Sequence, residues 1–311
     1  MKVVVSEFMD EDALGGFMPG WEVLYDPTLV EDRARLVAAL SDADAVIVRN
    51  RTRIDADLLA GAPGLRAVGR LGVGLDNIYT ETCAANGVAV LPATGANALA
   101  VAEYVIAAML VLVRGAYGAT DAVRRGEWPR ERLIGGEAAG RTLGLLGYGG
   151  IARVVADRAH TLGMTVAAFD PHLLADDPAW AGVRRCATVD ELFGLADVLS
   201  VHVPLTAETR GLVGEAALAR LPRGAIVINT ARGGIVDEPA LAAALREGRL
   251  GGAALDVFAD EPLKADQGAM FNGIDNLILT PHIAGLTEEG GVRVSQVTVE
   301  NVRRALEAKD G

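Results

Sequence analysis

The segment Gly147-Tyr148-Gly149-Gly150-Ile151-Ala152 has the residue types and spacing of a loop that cradles a phosphate, and it follows an apolar run, Leu143–Leu146, of strand character. Glycine at 147 permits a tight turn, glycine at 149 lets backbone approach a pyrophosphate, and Ala152 is small enough for close helix packing. The helix that opens there offers unpaired N–H groups and a positive partial charge to an anion. Asp170 ends the next strand, where a carboxylate accepts hydrogen bonds from both ribose hydroxyls of an adenosine and repels a 2′-phosphate. Pro171 and His172, just after it, bring no arginine to reverse that preference. The pattern therefore predicts NAD rather than NADP. A glycine-rich turn without a ligand is the plain alternative, and the carboxylate in its expected place weighs against it.

Three more segments put reactive side chains just after apolar runs, where ligands gather in open α/β sheets. Asn229–Glu238 carries Arg232, Asp256–Pro262 carries Asp256 and Glu261, and Thr280–Gly285 carries His282. Alone, an Arg or Glu is more often a solvated charge and a His a structural residue. Their occurrence together, beside glycines and after strands of one sheet, points to chemistry, and His takes or gives a proton near neutral pH. His160, in the helix after the glycine-rich loop, and His172, in a surface loop, read as structural.

These residues need a scaffold, and short β-rich runs alternating with helical periods supply one. In the first third the expected strands are Val3–Val5, Glu22–Leu24, Ala45–Val48, Ala67–Val68 and Val88–Leu91. A second series comprises Leu143–Leu146, Thr165–Phe169, Val198–Val203, Ala225–Ile228, Ala253–Val257 and Leu277–Leu279, enough for a complete doubly wound sheet. A long apolar helix, Ala98 to Arg125 with Asn97 as N-cap, connects the two series, and a final helix spans Thr287 to Lys309.

The 311 residues suit two domains, 51% of them are hydrophobic, and the net charge is -12. That charge, with no basic patch, predicts no nucleic-acid and no anionic-membrane partner. The N-terminal run Val3–Val5 is interrupted at once by Ser6 and Glu7, unlike a signal peptide, and no stretch has the apolar length of a spanning helix. Cys83 and Cys186 lack metal-ligand spacing and read as reduced thiols, so no metal is expected and the expected location is cytoplasmic.

Taken in order, and joined by Gly72-Val73-Gly74-Leu75-Asp76-Asn77 and Val201-His202-Val203-Pro204-Leu205-Thr206, these segments strongly resemble the D-isomer-specific 2-hydroxyacid dehydrogenase family over nearly the whole chain. In motifs they are nearest to phosphoglycerate dehydrogenases. The resemblance implies an α/β fold of two Rossmann-like domains with doubly wound parallel sheets. The substrate domain would be discontinuous, residues 1–97 plus 286–311, with residues 98–285 forming the NAD-binding domain. It implies His282 as acid and base, Glu261 orienting its imidazole, and Arg232 pairing with the substrate carboxylate and polarising its C2 oxygen. Asp256 matches the position that holds the nicotinamide carboxamide. Cofactor contacts extend to Tyr148, Gly150 and Ile151 in the loop, and to His202, Pro204 and Thr209 in the segment after Val201. Thr230, Ala231 and Ala284 complete the set.

In the first domain, the Val73 and Gly74 amides suit a substrate carboxylate, although a purely structural turn is the other reading. Arg49 matches a position that meets a distal anion in phosphoglycerate dehydrogenases, whereas Arg51 and Arg53 read equally well as solvated surface. The expected activity is hydride exchange between NAD and a small C3 2-hydroxy acid with a second anion, 3-phosphoglycerate or 3-sulfolactate. Glyoxylate or hydroxypyruvate reduction is the alternative, as is a nucleotide-sensing corepressor, since fold alone does not fix function. A homodimer follows from the resemblance only. The chain departs from the family in having Ala152 in place of the usual glycine and in its Ala284-Gly285-Leu286 sequence, and no C-terminal regulatory extension is expected.

Overall fold

Runs of small and β-branched apolar residues become central strands buried on both faces, as parallel sheets covered by helices require. The computed structural model describes residues 1–308. The chain divides into two compact units, Met1–Asn97 with the segment starting at Leu286, and Ala98–Gly285.

The first unit holds a five-stranded sheet of β1 (Lys2–Val5), β2 (Glu22–Tyr25), β3 (Ala45–Val48), β4 (Ala67–Arg70) and β5 (Ala89–Pro92), all parallel, in the order β2-β1-β3-β4-β5. One face packs on short helices through Val4, Val46, Val48 and Val68, and the other buries Val3, Val5, Ala45, Ile47 and Ala67 with Val294, Val299, Val302 and Leu306 of the C-terminal helix Glu288–Glu307. That helix starts at Thr287, whose hydroxyl accepts the Gly290 N–H. It approaches β4 so closely that a Cβ on Gly69 would lie 2.6 Å from Val302. Lys309, expected to close the helix, lies outside the described residues.

The second unit holds β6 (Thr142–Leu146), β7 (Thr165–Phe169), β8 (Arg184–Arg185), β9 (Val198–Val201), β10 (Ile226–Asn229), β11 (Gly252–Leu255) and β12 (Leu277–Leu279). They form one parallel seven-stranded sheet, ordered β12-β11-β10-β9-β6-β7-β8. The order reverses at β6, so the loop after β6 lies at the switch point where open sheets bind ligands.

The long connecting helix differs from expectation. It runs from Ala98 to Arg114 and stops at Gly115, whose φ of 65° is left-handed and whose N–H caps the Val111 carbonyl. A separate short helix, Thr120–Arg124, follows. Asn97 does not cap the long helix, because its buried Oδ1 has no hydrogen-bond partner. Among the described residues no single helix is long and apolar enough to cross a membrane.

Candidate active site

The glycine-rich loop leaves the C-terminal end of β6. Gly147 has φ 89°, and a Cβ there would lie 2.7 Å from the His202 carbonyl oxygen, so only glycine fits the turn. Gly149 precedes the helix Gly150–Thr161, whose first turn receives no side-chain cap, and Cβ atoms at Gly149 and Gly150 would meet nothing within 4 Å. The loop therefore presents bare backbone and uncapped N–H groups. Asp170 closes it from β7: Oδ2 accepts the Tyr148 N–H at 2.9 Å and Oδ1 the His172 N–H at 2.9 Å. Two of its roughly four acceptor positions remain. The buried Tyr148 ring stacks on Trp180 with centroids 5.2 Å apart, with Arg153 over the Tyr148 ring and Arg185 over the Trp180 ring.

At the end of β10, Asn229 is buried and its side chain shapes the next turn. Its Oδ1 accepts the Ala231 N–H at 3.0 Å and its Nδ2 donates to the Arg232 carbonyl at 2.9 Å. Arg232 donates to the Ala231 carbonyl at 2.6 Å. Gly233 then passes so near the next loop that a Cβ would lie 1.7 Å from the Phe258 oxygen, which fixes the Arg232 turn beside the loop carrying Glu261. The Thr230 hydroxyl is buried without a hydrogen-bond partner.

His282 and Glu261 meet: Nδ1 lies 2.8 Å from Glu261 Oε2. A carboxylate only accepts, so Nδ1 carries hydrogen and Nε2 of the neutral ring is left as a base. Glu261 is held in turn by the Phe258 N–H, 3.0 Å from Oε1. Among the described residues His282 is the only non-glycine with positive φ, 55°. That left-handed conformation costs on the order of 1–2 kcal/mol and must be imposed by its surroundings. Asp256, 1% exposed, imposes it: Oδ1 accepts Thr280 Oγ1 at 2.6 Å and the Ile283 N–H at 2.8 Å, Oδ2 accepts the Ala284 N–H at 2.8 Å, and its carbonyl accepts the His282 N–H. One of four acceptor positions stays open, enough for a single amide hydrogen.

Of the segment after β9, His202 bonds Ser200 Oγ through Nε2 at 2.9 Å, and burial pushes its imidazole down to about 4, so it is neutral near pH 7. The Thr209 hydroxyl donates to the Pro204 carbonyl at 2.6 Å and accepts the Thr206 N–H at 2.8 Å, so it shapes the Pro204 turn.

In the first unit, Glu7 was not foreseen from sequence. Its carboxylate is 4% exposed and accepts the backbone N–H groups of Arg49, Asn50, Arg51 and Thr52 at 2.8, 3.3, 3.1 and 2.9 Å. These four donors wrap a buried carboxylate and so set the path of the loop that carries Arg49. Asn77 Nδ2 donates to the Thr52 carbonyl at 2.6 Å, tying the Val73–Gly74 loop to the Arg49 loop. Arg51 pairs with Glu31 and Arg53 lies over the Tyr79 ring, both surface arrangements. Glu238, also not foreseen, is 8% exposed and accepts the Ala259 N–H at 2.6 Å. Its carboxyl is pushed up by burial, with Asp260, Asp237 and Glu261 adding repulsion. No local motif marks either carboxylate, since each acts on a loop distant in sequence.

These residues suit a dinucleotide on the structure's own terms: bare glycines, an uncapped helix start, an orphaned Thr230 hydroxyl and open acceptor positions on Asp170 and Asp256. Comparison with known proteins agrees. Residues 106–284 match the D-isomer specific 2-hydroxyacid dehydrogenase, NAD binding domain. Over 304 residues the chain is 55% identical to the (S)-sulfolactate dehydrogenase of Chromohalobacter salexigens, covering 98% of each. It is 36% identical to the D-3-phosphoglycerate dehydrogenase of Methanocaldococcus jannaschii, covering 98% of this chain but 57% of that one. Among solved structures, the TT0316 protein from Thermus thermophilus superposes with TM-score 0.86 at 34% identity, covering 99% of this chain and 97% of that one. A switch-point phosphate loop, an acidic residue closing it and an imidazole–carboxylate pair are thus joined to full-length similarity, and the chain belongs to the D-isomer specific 2-hydroxyacid dehydrogenase family of NAD-dependent oxidoreductases.

Proposed function

We propose that this dehydrogenase interconverts 3-sulfolactate and its 2-oxo acid. The chemistry rests on the His282–Glu261 pair, and the choice of substrate on the full-length similarity to the Chromohalobacter enzyme. Bound NAD supplies the hydride acceptor and, reduced, the donor. Asp170 binds the adenosine ribose, the Gly149–Gly150 amides bind pyrophosphate, and Thr230 and the open acceptor of Asp256 orient the nicotinamide end. Arg232 pairs with the substrate carboxylate and draws electron density from the C2 oxygen. His282 Nε2 takes the C2 hydroxyl proton during oxidation and returns it during reduction, while Glu261 stabilises the imidazolium through Nδ1. Val73 and Gly74 amides help hold the carboxylate. Arg49 meets the C3 sulfonate.

3-Phosphoglycerate is the second reading, favoured by the relatives of that name and by the same cation. Purified enzyme with NAD should oxidise sulfolactate faster than phosphoglycerate. Arg49→Ala should reduce kcat/KM on the preferred substrate about ten- to a hundred-fold, the worth of a charged hydrogen bond, while changing glyoxylate reduction little. Equal losses on both would remove Arg49 from the anion site and make glyoxylate or hydroxypyruvate reduction the better assignment. The chain pairs with a second copy and works in the cytoplasm, readings supported by exposed apolar side chains at Tyr117, Trp128 and Ile134 and by two buried free thiols, Cys83 and Cys186.

A further inference from the structure

Tyr104 lies in the helix Ala98–Arg114, at a position that periodicity alone would assign to packing. Its hydroxyl is 2.6 Å from Thr280 Oγ1, which is in turn 2.6 Å from Asp256 Oδ1. The direction of this chain is fixed by its end. Asp256 can only accept, so the single hydroxyl hydrogen of Thr280 points to the carboxylate, and Tyr104 must donate to Thr280. Burial pushes the Tyr104 phenol up, and the negative charge of Asp256 adds to that, so the phenol keeps the hydrogen it donates. Hydrogen bonds in series polarise one another, which strengthens the grip of Thr280 on Asp256. Asp256 also accepts the Ile283 and Ala284 N–H groups, either side of which the chain would relax if the carboxylate moved. Between Thr280 and Ile283 stands His282, held at φ 55° with Nδ1 on Glu261.

We infer that Tyr104 is a positioning residue for His282: through Thr280 it fixes Asp256, and Asp256 fixes the left-handed turn that aims the imidazole. This rests on the acid–base role given to His282 above. Tyr104 does not touch the reacting atoms, so its loss should misalign the base without weakening the binding of the hydroxy acid.

The test compares Tyr104→Phe, Thr280→Val and Thr280→Ser in the full-length enzyme, with NAD and whichever hydroxy acid it turns over best. Tyr104→Phe and Thr280→Val should each lower kcat about fivefold, the worth of one hydrogen bond, with KM for the hydroxy acid unchanged. Thr280→Ser keeps the hydroxyl and should lose less than Thr280→Val. In a His282→Ala background, adding Tyr104→Phe should remove nothing further from the residual rate. Unchanged kcat in Tyr104→Phe, or a loss that persists at full size without His282, would overturn the inference. If Tyr104→Phe fails to fold, equal activity in Thr280→Ser and Thr280→Val would overturn it instead. Near-normal turnover in His282→Ala alone would refute the acid–base assignment, an outcome distinguishable from inert Tyr104→Phe in an enzyme that His282→Ala inactivates.

Discussion

Burial pushes the His202 imidazole down to about 4 from the ordinary 6.5, whereas His282 stands half exposed against a carboxylate. For His202 the folded chain refuses a proton that the unfolded chain accepts below about 6.5. Its contribution is therefore neutral above that pH, and stability is lost as pH falls from 6.5 towards 4, by about 3 kcal/mol in all. His202→Gln, which cannot titrate, should lose less stability between pH 7.5 and pH 5 than the natural protein does in urea melts. Parallel losses would show that His202 is more solvated than its burial implies. The proposed site residues Arg232, Glu261 and His282 could be singled out in the sequence because each follows a strand within a recognisable motif. Glu7, which shapes the Arg49 loop, Asn229, which shapes the Arg232 turn, and the Tyr104–Thr280 pair bonded to Asp256 could not. Glu7 acts 42 residues away on Arg49, and Tyr104 acts 176 residues away on Thr280, so no local pattern can announce them.

At the level of elements, the loop between β6 and its helix is built twice over, by glycines that clear its face and by Asp170, which anchors the Tyr148 amide. Asp170→Ser keeps an acceptor but removes the charge. The expected result is a KM for NAD raised about ten- to a hundred-fold and a narrowed preference over NADP. If the ratio of kcat/KM for the two cofactors does not move, Asp170 serves the loop alone. β3, β7 and β12 fall where their β-rich runs begin and end, because strands of a parallel sheet covered by helices need near-continuous hydrophobic residues. β8 escaped notice for the converse reason: two exposed arginines at a sheet edge, Arg184 and Arg185, carry no apolar signal. The helix expected to run to Arg125 shows a different limit. Hydrophobicity continues past Gly115, but backbone geometry does not.

Over the whole molecule, charge and surface make separate demands. Tyr117, Trp128 and Ile134 are 68%, 74% and 81% exposed, large apolar side chains gathered in one stretch of sequence. A copy of the same chain is the proposed cover, so light scattering at micromolar concentration should give a dimer, and Trp128→Glu with Ile134→Glu should give a monomer. A natural protein that runs as a monomer would sink this reading. The division of the chain has a further result, one of timing. The sheet of the first unit is complete once β5 has been made, yet the helix that covers Val3, Val5, Ile47 and Ala67 begins only at Glu288, after every residue of the second unit. During synthesis from the N-terminus, the inserted unit can close its core while the first unit waits with an apolar face uncovered. The helix that completes the first unit thus leaves the ribosome only after the whole of the second.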